Sequence, residues 1–82
     1  MKQVLYFHAP NCAPCAALKP MISQLQNEMT IISIDTAVSY QRAVAWNIRS
    51  VPTILVISNE MEQGRLVGSS ITTDAIRRLY KQ

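Results

Sequence analysis

The chain alternates between short runs with almost no polar residue and stretches in which apolar side chains recur every third or fourth position. Val4-Leu5-Tyr6-Phe7 is the first such run, and its continuity predicts a strand buried on both faces, as in a parallel sheet. After it, Leu18, Met21, Ile22, Leu25 and Met29 fall on one stripe, with Lys19, Gln24, Gln26 and Glu28 largely outside it. That pattern predicts a helix with one core-facing side. Pro20 lies within it and is expected to bend the helix without ending it, because proline removes a backbone donor. Ile31 to Ile34 predicts a second strand, so strand, helix and strand make a right-handed parallel crossover.

In the second half, Asp35, Thr36 or Ser39 can cap a helix over roughly Tyr40 to Asn47. Tyr40, Val44 and Ile48 sit at helical spacing there, and Trp46 is expected to pack over an edge of the sheet. Val51-Pro52 leads into the β-branched run Thr53 to Ile57, the next strand. Ser58-Asn59-Glu60 reads as a hairpin loop returning through Met61 to Val67, with Gly64 as a bulge. Gly68-Ser69-Ser70 breaks that strand, and Thr72 or Thr73 caps a last helix whose Ile76, Leu79 and Tyr80 face the sheet.

Composition narrows the class. Eighty-two residues suffice for one core, so residues 1–82 are read as a single domain. With 49% hydrophobic and 16% charged residues the chain is ordinarily globular, and no apolar run approaches a membrane span. Met1 to Phe7 lead straight towards Cys12 with no signal-peptide core, so a cytoplasmic location and no membrane partner are expected. The net charge of +3 invites a nucleic-acid reading. Its carriers are dispersed, however, over Lys2, Lys19, Arg42, Arg49, Arg65, Arg77, Arg78 and Lys81, and the last three suit the C-terminal end of a helix dipole. No nucleic-acid partner is expected.

The chemistry concentrates in Asn11-Cys12-Ala13-Pro14-Cys15, which holds both cysteines. Two cysteines at this spacing close a disulfide only if the backbone between them curls, and the first turn of a helix supplies the curl. The helix is therefore expected to begin near Cys12, with Asn11 as its N-cap and Pro14 in its first turn, where a missing N–H costs little. Unpaired N–H groups and the positive end of the macrodipole stabilise a thiolate at that position. Cys12 is accordingly expected to be the acidic thiol and Cys15 its hidden partner; such thiols fall to roughly 3.5 to 7.5, against about 8.5 for a free cysteine. A zinc half-site is the competing reading, but two Cys and one His fall short of the four ligands zinc normally takes, so no metal is expected.

These residues resemble the thioredoxin family. The likeness rests on Cys12-Ala13-Pro14-Cys15 after an apolar strand, on Pro20 five residues further along, on Asn47-Ile48-Arg49-Ser50-Val51-Pro52-Thr53, and on Val67-Gly68 after the hairpin. The resemblance implies an α/β minimal thioredoxin fold, β-α-β-α-β-β-α, with a four-stranded mixed sheet flanked by three helices. The N-terminal strand and helix of full-length thioredoxins have no counterpart. It also implies a cis Pro52, a backbone at Val51 that pairs with the substrate chain, and a small docking surface of Ala13, Pro14, Val51, Pro52, Gly68 and Ser69 around Cys12.

The implied activity is thiol–disulfide exchange on disulfide-containing proteins, with Cys12 as nucleophile and Cys15 as resolving thiol. It needs no bound cofactor beyond the Cys12-Cys15 disulfide, is recycled by a thioredoxin reductase or by glutathione, and suits a monomer. Two other readings stay open. One is glutaredoxin-like reduction by glutathione, against which stand proline before the second cysteine and Gly68-Ser69-Ser70 in place of a Gly-Gly pair. The other is a non-catalytic thioredoxin-like interaction subunit, which two intact cysteines disfavour. The chain departs from the family where Tyr6 and Ile31 replace the usual buried Asp and Lys, and where Asn11 replaces a Trp. The proton acceptor for Cys15 is thereby left unassigned. His8 and Tyr6 are the candidates for a relay, although a loop histidine and a packed aromatic are the plainer readings.

Overall fold

In the computed structural model, which describes residues 1–82, the first apolar run extends at both ends into strand β1, Lys2–His8. Helices α1, Ala13–Ala17, and α2, Lys19–Leu25, follow, then strand β2, Ile31–Asp35. Helix α3, Tyr40–Ala45, precedes the hairpin of β3, Thr53–Ser58, and β4, Met61–Val67; a short 3-10 turn, Gly68–Ser70, leads to helix α4, Thr73–Lys81. The sheet order is β2-β1-β3-β4. β1 runs parallel to β2 and antiparallel to β3, which pairs antiparallel with β4. This is the expected mixed four-stranded sheet and element order, with the first of the three flanking helices divided in two.

Alternation along β1 sends Val4 and Tyr6 to one face and Leu5 and Phe7 to the other. On the first face they join Ile22 and Leu25 of α2, Met29, Ile54, Val56, Ile71 and Ile76 of α4 in one core. On the second face Leu5 and Phe7 pack with Ile34, Leu55, Ile57 and Ala43 of α3, and the half-buried Trp46, Ile48 and Val51 close over them.

Several local expectations are corrected. Asn11 is not the N-cap: it takes φ 59°, a left-handed conformation that Asn tolerates, and the cap is Cys12. The long helix is interrupted at Leu18 rather than bent at Pro20, which sits in the first turn of α2, where its lack of an N–H is harmless. It also stops at Leu25, and Met29 reaches the core from the turn beyond. The second helix stops at Ala45, not Asn47. Asn47 adopts φ 57°, its N–H donates to Val44, and the N–H of Ile48 donates to the Ala43 carbonyl at 2.8 Å, the paired bonds of a Schellman stop. Tyr40 and Val44, at helical spacing in the sequence, are exposed; the small Ala43 is the side chain α3 buries. Ser39 occupies the N-cap position of α3 but makes no capping bond with its side chain.

The hairpin loop is Asn59-Glu60, both with positive φ as a primed two-residue turn requires, so Ser58 belongs to β3. The register passes from Val56↔Gly64 to Ile57↔Glu62, which makes Gln63 the extra residue of the bulge. Gly64 serves a different purpose, since a Cβ there would stand 2.6 Å from Leu79 Cδ2 of α4. Arg65 donates to the Trp46 carbonyl at 2.9 Å and pairs with Glu62, so β4 satisfies a carbonyl left over at the end of α3. Thr72 caps α4 by accepting the Ala75 N–H at 3.0 Å, and the Lys2 ammonium donates to the Tyr80 and Gln82 carbonyls at its other end.

Candidate active site

The pairing of β1 with β3, and of β3 with β4, brings three chain segments to one end of the sheet. His8 ends β1 and leads to the cysteines, Pro52 precedes β3, and Gly68 follows β4. The N–H of Gly68 donates to the Pro52 carbonyl at 3.1 Å, which joins the last two directly. Gly68 has φ +57°, the left-handed region where a Cβ is unfavourable, so the chain turns away from β4 there. The Val51-Pro52 peptide is cis; Pro52 is buried, Val51 half-buried, and Ser69, Ala13 and Pro14 are exposed. The Thr53 hydroxyl, buried at the start of β3, donates to the Ser50 carbonyl at 2.8 Å and steadies this entrance.

Cys12 and Cys15 form a disulfide, with their α-carbons 5.2 Å apart. Cys12 is half-buried, whereas Cys15 is 3% exposed. The Cys12 sulfur is itself the helix cap, accepting the Cys15 N–H at 3.2 Å. A sulfur there meets the donor that a Ser or Asn oxygen meets in other helices, so the first turn of α1 is aimed at the atom expected to react. No three His, Cys, Asp or Glu side chains come together in a way that could hold a metal ion.

On the other side of Cys15 lies a cleft of about 830 Å³ whose lining includes Tyr6, His8, Cys12, Cys15, Lys19 and Asp35. Of the expected docking residues only Ala13 borders it, so the cleft and the Val51–Gly68 surface are separate features. Tyr6 and Ser33 are register partners, as are His8 and Asp35, so β1 and β2 supply the polar wall in pairs. Tyr6 is 4% exposed, and its hydroxyl donates to the Cys15 carbonyl at 2.8 Å. Burial pushes its phenol above the usual range, which keeps it a neutral donor. Tyr6 is thus a packed aromatic that also makes a polar contact, to the backbone of Cys15. His8 lies with its ring centroid 5.1 Å from that of Tyr6, and its carbonyl accepts from the Thr36 N–H and hydroxyl. Ile31, at the position where the resemblance implies a Lys, is half-buried against the first core.

Ser33, Asp35 and Lys19 were not expected at this site from the sequence. Asp35 carried a signal in its position at the end of the second apolar run, the strand end that parallel pairing sets beside His8.

Comparison with known proteins agrees with this geometry. The family model described as Thioredoxin matches residues 1–82. The chain is 32% identical over 68 residues to thioredoxin C-2 of Corynebacterium nephridii, an alignment covering 78% of this chain and 63% of that protein. It is 32% identical over 69 residues to the thioredoxin of Bacillus subtilis, covering 79% and 62%. The chain thus spans less than two thirds of the length of these relatives. Among solved structures, a mutant thioredoxin from Halobacterium salinarum superposes with a TM-score of 0.88 at 26% identity, covering 98% of this chain and 72% of that one. A Cys-X-X-Cys pair capping its helix, a proline-led strand beside it and a family match along the whole length place the chain in the thioredoxin family.

Proposed function

We propose that this chain is a thiol–disulfide oxidoreductase that reduces protein disulfides through a Cys12/Cys15 dithiol–disulfide cycle. The observation that carries the reading is the division of labour between the two sulfurs: Cys12 accessible and capping a helix, Cys15 buried behind it and bonded to it. In the reduced protein the Cys12 thiolate attacks one sulfur of a substrate disulfide. A Cys12–substrate bond forms, and the other substrate sulfur leaves as a thiolate that takes a proton from solvent. Cys15 then gives up its proton and attacks Cys12 Sγ, which closes the intramolecular disulfide and releases the second substrate thiol. Two electrons pass from the dithiol to the substrate.

Ala13, Pro14, Val51, Pro52, Gly68 and Ser69 form the surface against which the substrate chain lies, with Val51 offering its backbone as a strand edge. Recycling falls to a thioredoxin reductase or to glutathione, and the reaction suits the cytoplasm, where thiols are kept reduced. The test is reduction of a protein disulfide by the pre-reduced chain. Cys12→Ser is expected to lower the rate to that of the uncatalysed reaction, and Cys15→Ser to accumulate a mixed disulfide visible by mass. Full activity in Cys12→Ser would sink the proposal and favour an interaction subunit. Equilibration of the pair against glutathione, with and without a reductase, assigns the recycling route.

A further inference from the structure

The interruption at Leu18 has a chemical consequence for Cys15. In a continuous helix the Cys15 carbonyl would accept the N–H of Lys19, but α1 ends at Ala17 and that bond is not made. The carbonyl accepts instead the N–H of Leu18 at 3.1 Å and the hydroxyl of Tyr6 at 2.8 Å. Tyr6 belongs to β1, an internal strand paired on both edges, so this bond ties the backbone of the second cysteine to the middle of the sheet. While the disulfide is closed, Cys15 is also held through its sulfur. Once Cys12 is joined to a substrate that covalent tie is gone, and what anchors Cys15 to the sheet through a side chain is Tyr6.

Building on the exchange reading above, we propose that Tyr6 is a positioning residue for the resolving step: its hydroxyl holds the Cys15 backbone so that Cys15 Sγ stays within reach of Cys12 Sγ in the mixed disulfide. In that step the Cys15 thiol loses its proton to water, its sulfur attacks Cys12 Sγ, the Cys12–substrate bond breaks, and the departing substrate thiolate is protonated from solvent. Preorganisation of this kind raises the effective concentration of one sulfur at the other without touching either. The first attack, by Cys12, is independent of it, since the Tyr6 hydroxyl bonds to Cys15 and not to Cys12. A neutral phenol also fits the task better than a carboxylate, which has no proton to donate to a carbonyl.

The two steps separate with a small chromogenic disulfide. Pre-reduced protein given one equivalent of dithiobis(nitrobenzoate) releases one coloured thiolate on first attack and a second on resolution. Tyr6→Phe is expected to leave the first release within about twofold of wild type and to slow the second by about tenfold, the scale of one hydrogen bond. The mixed disulfide should accumulate by mass meanwhile. Folded Tyr6→Phe protein that releases both thiolates at wild-type rates, or slows both equally, overturns the assignment.

Should Tyr6→Phe not fold, a fluorinated tyrosine at position 6 keeps shape and donor at low pH and loses the donor as its phenol ionises. Besides the two cysteines, the titratable groups that line the cleft with that phenol are His8 from β1, Asp35 from β2 and Lys19 from α2. Resolution is expected to fall across the fluorophenol titration relative to the same pH in wild type, with no matching fall in first attack. Identical profiles overturn the proposal. Wild-type protein that releases only one thiolate defeats the exchange reading itself, a failure the variants cannot mimic.

Discussion

Tyr6 and Phe7 stand side by side in β1, at 4% and 0% exposure, and face opposite sides of the sheet. Phe7 looks into a closed core of apolar side chains under α3. Tyr6 looks towards α1, α2 and α4, where the core opens at one end into the cleft beside Cys15. One face carries the apolar core under α3, and the other adds to its own core the cleft that borders the cysteines. The pleat of a single strand separates the two, so a change at one position can be felt as stability and a change at the next as reactivity.

Phe7→Ala is the strongest way to break this contrast. It is expected to cost about 3–5 kcal/mol, a large share of the roughly 4–12 kcal/mol typical of a chain this size. Urea denaturation measures the loss. Under conditions where the variant remains folded, the ratio of first to second thiolate release is expected to match wild type; a change in that ratio would show that the α3 face reaches the chemistry.

A smaller effect is expected from Thr72→Ala, which removes the cap of α4 on the reactive face. About 1 kcal/mol of stability is lost, again by urea denaturation, with the thiolate ratio unchanged. Slowed resolution in this variant would mean that α4, and not Tyr6 alone, holds Cys15 in place.

The smallest effect concerns Glu28 and Arg77, which link the turn after α2 to α4 across an exposed surface at 2.6 Å. Arg77 holds the Glu28 carboxyl below the usual carboxylate range. The stability this pair contributes is therefore present above the unfolded carboxyl's pKa of about 4.3 and is lost as pH falls through the lowered folded value. Glu28→Gln is expected to flatten stability across that acid window and to change little at neutral pH. High salt should reduce the difference, since exposed pairs are screened.

The sequence made the sheet legible because continuous apolar runs have few alternatives in a short chain, and it made the site legible because two cysteines at one spacing constrain the backbone. What it obscured is local. Asn outranks Cys as a cap in general, yet here the Cys12 sulfur reaches the N–H of Cys15 and Asn11 is free to turn left-handed. Tyr40 and Val44 have the right spacing, but a short helix lying close to the sheet through Ala43 leaves them outside. The role of Tyr6 was hidden for a different reason. A carbonyl needs a distant hydroxyl only where its own helix is broken, and Pro20 marks the neighbourhood of the break without marking Leu18.

The cap of α1 and the expected nucleophile are the same atom. In the closed disulfide the Cys15 N–H donates to the Cys12 sulfur, and since an N–H donates more strongly to a thiolate than to a thiol, the same bond in the reduced chain is expected to favour the ionised form. Thermodynamic linkage makes that preference reciprocal: whatever free energy lowers the thiol's proton affinity reappears, in equal amount, as added stability of the reduced, ionised fold. A titration of Cys12 in the reduced chain and the pH dependence of its unfolding are then expected to read one quantity from two sides.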